Sequence, residues 1–108
     1  MPVRLPPPIA LYVEAENAGD VESLSECFAP DAVVRDERHT YEGLAAIKSW
    51  KAETKRKYQH TVEPLALARK GDRIVVTSRL TGNFPGSPIE VEFVFKLDGD
   101  KIASLEIG

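Results

Sequence analysis

A second cysteine is missing from this chain. Cys27 stands alone, so no intrachain disulfide can form and no CxxC pair exists to hold a metal. Histidine is nearly as scarce, with His39 and His60 the only 2, so a zinc site built from four Cys and His ligands is not expected. No apolar run approaches the roughly 18 residues that cross a bilayer, so no membrane span is expected. Residues 1–8 are proline-rich and lack the apolar centre of a secretory leader. A basic surplus is absent as well. The formal net charge is -3, the reverse of the basic stripe that marks a phosphate binder, so nucleic acid is not an expected partner. The one basic cluster (Lys48, Lys51, Lys55, Arg56, Lys57) falls in a helical pattern whose other face is apolar, and it reads as a solvated helix face. P-loops, G-x-G-x-x-G and Ser-His-Asp arrangements are lacking too, and no cofactor is expected. The expected home is reducing cytoplasm.

What is present is enough for one core: 108 residues, 43% of them hydrophobic, make a single domain that can fold alone and gains from a partner. After the stiff Pro6-Pro7-Pro8 lead-in, residues 9–18 read as a helix, with Ile9, Tyr12, Val13 and Glu16 at i, i+3, i+4, i+7 spacing. Gly19 ends it and Asp20 can cap a second short helix, so the two form a tight corner closed by Pro30. Residues 32–36 read as a short strand and residues 40–42 as a second extended piece. Gly43 then opens a third helix to about Tyr58, with Leu44, Ile47, Trp50 or Lys51, Thr54 and Tyr58 on its inner stripe.

From His60 onward the period changes to two. Residues 60–69 form a strand whose Pro64 implies a bulge or an edge. Residues 73–81 alternate Ile74, Val76, Ser78 and Leu80 against Val75, Thr77 and Arg79. Residues 89–97 turn Val91, Phe93, Phe95 and Leu97 inward, and Asp98-Gly99 leads by a hairpin into the last strand. Helices first and an antiparallel meander second indicate an α+β fold. Three N-terminal helices would pack on a curved, mainly antiparallel sheet of four long strands plus one or two short ones. The cone between helices and sheet would be the pocket.

The chemistry concentrates at the end of the first strand, where Ala32-Val33-Val34 runs directly into Arg35, Asp36, Glu37, Arg38 and His39. The period of two puts Ala32, Val34 and Asp36 on one face. Asp36 is the leading candidate for a carboxylate at a pocket rim able to move a proton. A strand-end aspartate paired with Arg35 or Arg38 is the competing reading. His39, three residues on, could hydrogen-bond Asp36 or act beside it in proton transfer, or is an exposed loop histidine. Tyr12 offers a phenol from the buried face of helix one, or simply packs there. Val34, Tyr41, Trp50, Phe93 and Phe95 are the expected pocket lining, and His60 reads as structural.

The segment YVEAENAGDVESLSECFAPDAVVRDERHTYEGLAAIKSW resembles the first half of the nuclear transport factor 2-like superfamily, nearest to its polyketide-cyclase-like (SnoaL-like) and ketosteroid-isomerase-like domains. The later meander ending Leu97-Asp98-Gly99-Asp100-Lys101-Ile102 fits the same pattern. The resemblance implies a cystatin-like cone over essentially the whole chain after Pro8. It implies Tyr12 as an oxyanion donor and Asp36 as the general base. The protonated Asp that supplies the second donor in ketosteroid isomerases falls on Phe93, so that machinery is incomplete here. The resemblance also implies a homodimer, for which the outer sheet face with Val75, Thr77 and Val94 is suited. Three functions follow: cofactor-free acid–base catalysis (isomerase, cyclase, dehydratase or hydrolase type) on a small apolar, cyclic molecule, non-catalytic binding of such a molecule, or a dimerising domain with a filled core.

Overall fold

Prolines start the first helix and a left-handed glycine ends it. In the computed structural model, which describes residues 3–36 and 38–107, α1 (Pro7–Ala18) buries Ile9, Tyr12, Ala15 and Glu16. Proline suits a first helical turn because its missing N–H would have no intrahelical partner there. Gly19, at φ 70°, closes the helix. Its N–H donates to the Glu16 carbonyl, and the Asp20 N–H reaches the Ala15 carbonyl at 2.9 Å. The second helix is shorter than its sequence pattern suggests. Asp20 accepts the Ser23 N–H and hydroxyl, which closes a local turn, and only Leu24–Cys27 is helical as α2.

β1 (Phe28–Asp36) begins earlier than residue 32, because Phe28 already pairs with Ile102 of the final strand. The register breaks between Phe28 and Val33, and Pro30, with no N–H to give a ladder, falls in that break. β2 (His39–Glu42) folds back antiparallel on β1, placing Asp36 opposite His39. Gly43, at φ 86°, turns the chain into α3 (Leu44–Tyr58).

β3 (Thr61–Lys70), β4 (Arg73–Thr81), β5 (Ile89–Asp98) and β6 (Lys101–Ile107) form the expected antiparallel meander. Pro64 lies on the edge strand β3, where the register shifts between Pro64 and Ala66. The six strands run in the order β2-β1-β6-β5-β4-β3, and the β1–β6 pair is parallel. The fold is α+β, three helices on a curved, open, mainly antiparallel sheet.

α3 packs across β1 and β2, and α1 lies against β3 and β6. Their apolar stripes meet the inward residues Val34, Ile74, Val76, Phe93, Phe95, Ile102 and Leu105, all buried. Each large side chain removed fully from water contributes about 1.5–3 kcal/mol. At the centre the Tyr12 ring meets Phe28, Phe93 and Phe95 edge-on, with centroids 5.6 to 6.2 Å apart. This aromatic plug fills the centre of the buried core. The opposite face of the sheet turns Val33, Val75, Thr77 and Val94 outward, half-buried.

Candidate functional site

A charged residue on an inward stripe must find a partner, because desolvating a lone charge is prohibitive. Two such residues face each other across the cone. Glu16 extends the buried stripe of α1, and Lys51 interrupts the inner stripe of α3. Their relative exposures are 4% and 6%. Lys51 Nζ donates to Glu16 Oε1 at 2.5 Å. The same oxygen accepts His60 Nε2, and because an ionised carboxylate only accepts, that nitrogen carries its hydrogen. Burial pushes the Glu16 carboxyl upward, but the Lys51 charge and the hydrogen bonds from His60 and Lys51 outweigh it and bring it from 4.5 to about 2.

His60 is fixed from several sides. Lys55 Nζ donates to its carbonyl at 2.5 Å. Asn17, near the end of α1, pairs with both backbone groups of Val62 at 3.0 and 2.7 Å, tying α1 to the start of β3. Gly82 passes so close that a Cβ there would lie 2.8 Å from His60 Cβ. Tyr12 lies beside this cluster, one helical turn from Glu16. Burial and the neighbouring Glu16 charge hold its phenol well above its ordinary value. Neither Tyr12 Oη nor Glu16 Oε2 completes a hydrogen bond of ordinary geometry with a described residue.

The cluster borders a cavity of about 630 Å³, within the range that holds small organic ligands. α1 contributes Glu16, β1 contributes Asp36, and α3 contributes Trp50, Lys51, Thr54 and Tyr58. His60 and the sheet residues Leu80, Ile89, Val91, Phe93 and Ile107 complete the wall, with Phe84 and Pro85 from the loop between β4 and β5. Most of these side chains are apolar or aromatic. Phe84 meets Tyr58 edge-on at 5.9 Å, and the Asn83 N–H donates to the Tyr58 carbonyl at 2.7 Å, which pins that loop to the end of α3.

Asp36 enters the cavity wall at the end of β1, on the face the period of two assigns to it. Trp50 Nε1 donates to its Oδ2 at 3.2 Å. Trp50 joins the two charged parts of the wall: its N–H engages Asp36, and its ring face lies 4.0 Å from Lys51 Nζ. Tyr41 stacks on the same indole at 5.5 Å, and His39 stacks on Tyr41 at 6.4 Å.

Of the residues expected from the sequence, Asp36, Trp50 and Phe93 are thus brought together on the cavity wall. His39 is exposed and lies outside that wall, at the far end of the stack. Tyr41 supports Trp50 from behind, and Val34 and Phe95 are buried in the sheet core rather than on the wall. Tyr12 sits in the aromatic plug beside Glu16, with its hydroxyl buried and off the wall. The sequence reading missed Glu16, Lys51 and His60 as a group. The available signal was an acid and a base that each fall on an inward helical stripe. Among the described residues, no three His, Cys, Asp or Glu side chains gather so as to hold a metal ion. No helix among them is long and apolar enough to cross a membrane.

A family model for the SnoaL-like domain matches residues 9–105. No curated protein matches the chain. Among solved structures, a Sinorhizobium meliloti protein named as a polyketide cyclase is 38% identical, covers 96% of this chain and 95% of its own, and superposes with a TM-score of 0.92. A Catenulispora acidiphila protein with a ketosteroid isomerase-like fold, solved with trimethylamine, is 22% identical over 97% of this chain and 86% of its own, with a TM-score of 0.83. A Jannaschia protein named as a SnoaL-like polyketide cyclase is 19% identical over 97% of this chain and 88% of its own, with a TM-score of 0.76. At such identities the last two speak to the fold alone.

Proposed function

The chain belongs to the SnoaL-like domain family, and from that premise we propose that its cone encloses a small, largely apolar, ring-bearing molecule on which Asp36 moves a proton without a cofactor. The observation that carries this reading is the placement of Asp36 in the wall of a 630 Å³ cavity whose other walls are mostly apolar. A carboxylate in that setting is suited to trade a proton with a bound C–H or O–H group, because the Trp50 N–H and the end of β1 hold it in place. The reactions that suit it are isomerisation, cyclisation and dehydration. A second reading is non-catalytic binding: a carboxylate that already accepts the Trp50 N–H also suits a protein that only orients its ligand.

Deuterium exchange separates the two. With 2-tetralone as a ring ketone in D2O, proton NMR should show wash-in beside the carbonyl faster than in buffer. Asp36→Asn should lose about 10²- to 10⁴-fold of the acceleration. Binding of 2-tetralone with no acceleration over buffer would leave the binder as the correct account.

The outer sheet face is the proposed contact between two copies of the chain. A groove of about 270 Å³ there is lined by Val33 and Val94 among the charged residues Arg35, Arg73, Lys96 and Glu106, and the half-buried apolar pair is what suits the face to a second copy. Light scattering should give twice the monomer mass, and a monomer at all concentrations refutes the pairing.

A further inference from the structure

We propose that the group receiving the ligand's oxygen in this cone is the Lys51 ammonium, held between Glu16 and the face of Trp50, and that the ligand class is a neutral ring compound bearing a carbonyl. The assignment rests on the proton-moving role proposed for Asp36 and names the residue that complements it.

A ligand oxygen that gains negative charge needs a hydrogen-bond donor aimed at it. Trp50 Nε1 is committed to Asp36, and His60 Nε2 to Glu16. The Thr54 hydroxyl donates back into its own helix, to the Trp50 and Lys51 carbonyls at 3.0 and 3.2 Å. Tyr12 has its hydroxyl off the wall, and Phe93 supplies no donor. Lys51 carries three N–H bonds. Glu16 accepts one, and the Trp50 π face, 4.0 Å from Nζ, draws the ammonium without consuming all its hydrogens. The other polar groups on the wall are the Tyr58 hydroxyl, beside Phe84, and His60 Nδ1, which is buried without a hydrogen-bond partner among the described residues; neither carries the three N–H bonds that Lys51 brings.

Charge selects the ligand. One ammonium faces two carboxylates, Glu16 and Asp36, so an anionic ligand is disfavoured and a neutral one admitted. With a neutral carbonyl compound the total charge never changes. The proton leaves the carbon next to the carbonyl for an Asp36 oxygen, and the C–H electron pair forms a carbon–carbon double bond. The carbonyl π pair settles on oxygen, where Lys51 meets it. Return of the proton from Asp36 to the same or another carbon restores the site, with nothing consumed. Negative charge passes from a carboxylate to an oxygen beside an ammonium.

2-Naphthol, a neutral ring compound whose anion resembles an enolate, tests this. Calorimetry measures its affinity against naphthalene, which lacks the oxygen, and absorption reports the ionisation of the bound naphthol at pH 7. The wild-type chain should bind 2-naphthol more tightly than naphthalene and hold it as the anion. Lys51→Met alone leaves Glu16 uncompensated and endangers folding, so the decisive variant is Glu16→Gln/Lys51→Met, which removes both charges. It should still bind naphthalene, lose at least about tenfold in the affinity for 2-naphthol relative to naphthalene, and hold what binds in the neutral form. Tyr58→Phe and His60→Gln, which remove the other polar groups on the wall, should each lose less 2-naphthol affinity than the double variant. An unaltered affinity and ionised fraction in the double variant, or a larger loss in Tyr58→Phe or His60→Gln, overturns the assignment while the cone reading stands. Failure of both compounds to bind the wild-type chain overturns the cone reading and this assignment with it.

Discussion

Replacing Glu16 with glutamine removes the negative charge on which the inner cluster turns. In the folded chain its carboxyl ionises at about 2 rather than 4.5, driven by Lys51 and the hydrogen bonds of His60 and Lys51 against the cost of burial. That difference corresponds to about 3 kcal/mol of folding free energy at neutral pH. The folded state binds fewer protons than the unfolded chain between those two values. The stabilisation is therefore complete above about pH 4.5 and fades as the pH falls through about 2. At pH 3 roughly half of it survives. Glutamine also leaves without its counter-ion a Lys51 ammonium that is only 6% exposed, and breaking such a buried pair costs about 3–5 kcal/mol. A small domain has only about 5–15 kcal/mol in all, so the melting temperature at pH 7 should fall by roughly 12–24 °C. Urea unfolding read through the single tryptophan, Trp50, gives both chains' stabilities on one scale. The wild-type advantage should be about 3 kcal/mol at pH 7 and shrink to about half at pH 3. Asp20 and Asp72, whose carboxyls are also held below their ordinary range, are common to both chains and cancel. An advantage that stays constant between pH 7 and pH 3 refutes the reasoning, because it would mean that the Glu16 charge is not what the cluster stabilises.

Gly82→Ala would put a Cβ 2.8 Å from both His60 Cβ and the Tyr58 carbonyl oxygen, and should cost about 1–3 kcal/mol in urea unfolding, as overpacking does. Tyr12→Phe, which removes a hydroxyl without an ordinary hydrogen bond, should change stability by less than about 1 kcal/mol, whereas Tyr12→Ala should cost about 3–5 kcal/mol by opening the aromatic plug. Burial pushes the Cys27 thiol up to about 11, so the native chain should resist a disulfide reagent at pH 8 and react only once unfolded.

The fold was legible because its local signals agree. Pro8 and Gly19 bracket α1, Gly43 opens α3, and the alternation of residues 73–81 and 89–97 matches the buried residues of β4 and β5. The start of β1 was hidden because Pro30 reads as a terminator. In the fold it occupies a break in the β1–β6 ladder, a parallel pairing that joins residues far apart in sequence. At the site, the face of Asp36 followed from the period of two, and its partner Trp50 was already on the expected lining. The Glu16–Lys51–His60 cluster was not legible as a unit. Its members lie on α1, on α3 and just before β3, and periodicity shows which way a residue faces, not what it meets. Lys51 in particular was hidden among four other basic residues of α3 that read together as a solvated face.

The claim at the centre of this account is a proton exchanged between Asp36 and a ring molecule held in the cone. The carbon-13 resonance of the Asp36 side-chain carboxyl, assigned by its loss in Asp36→Asn, reads that proton directly. On saturation with 2-naphthol at pH 7, the resonance should move from the position of a carboxylate to that of a carboxylic acid. A carboxylate resonance that does not move while 2-naphthol fills the cavity would contradict the account.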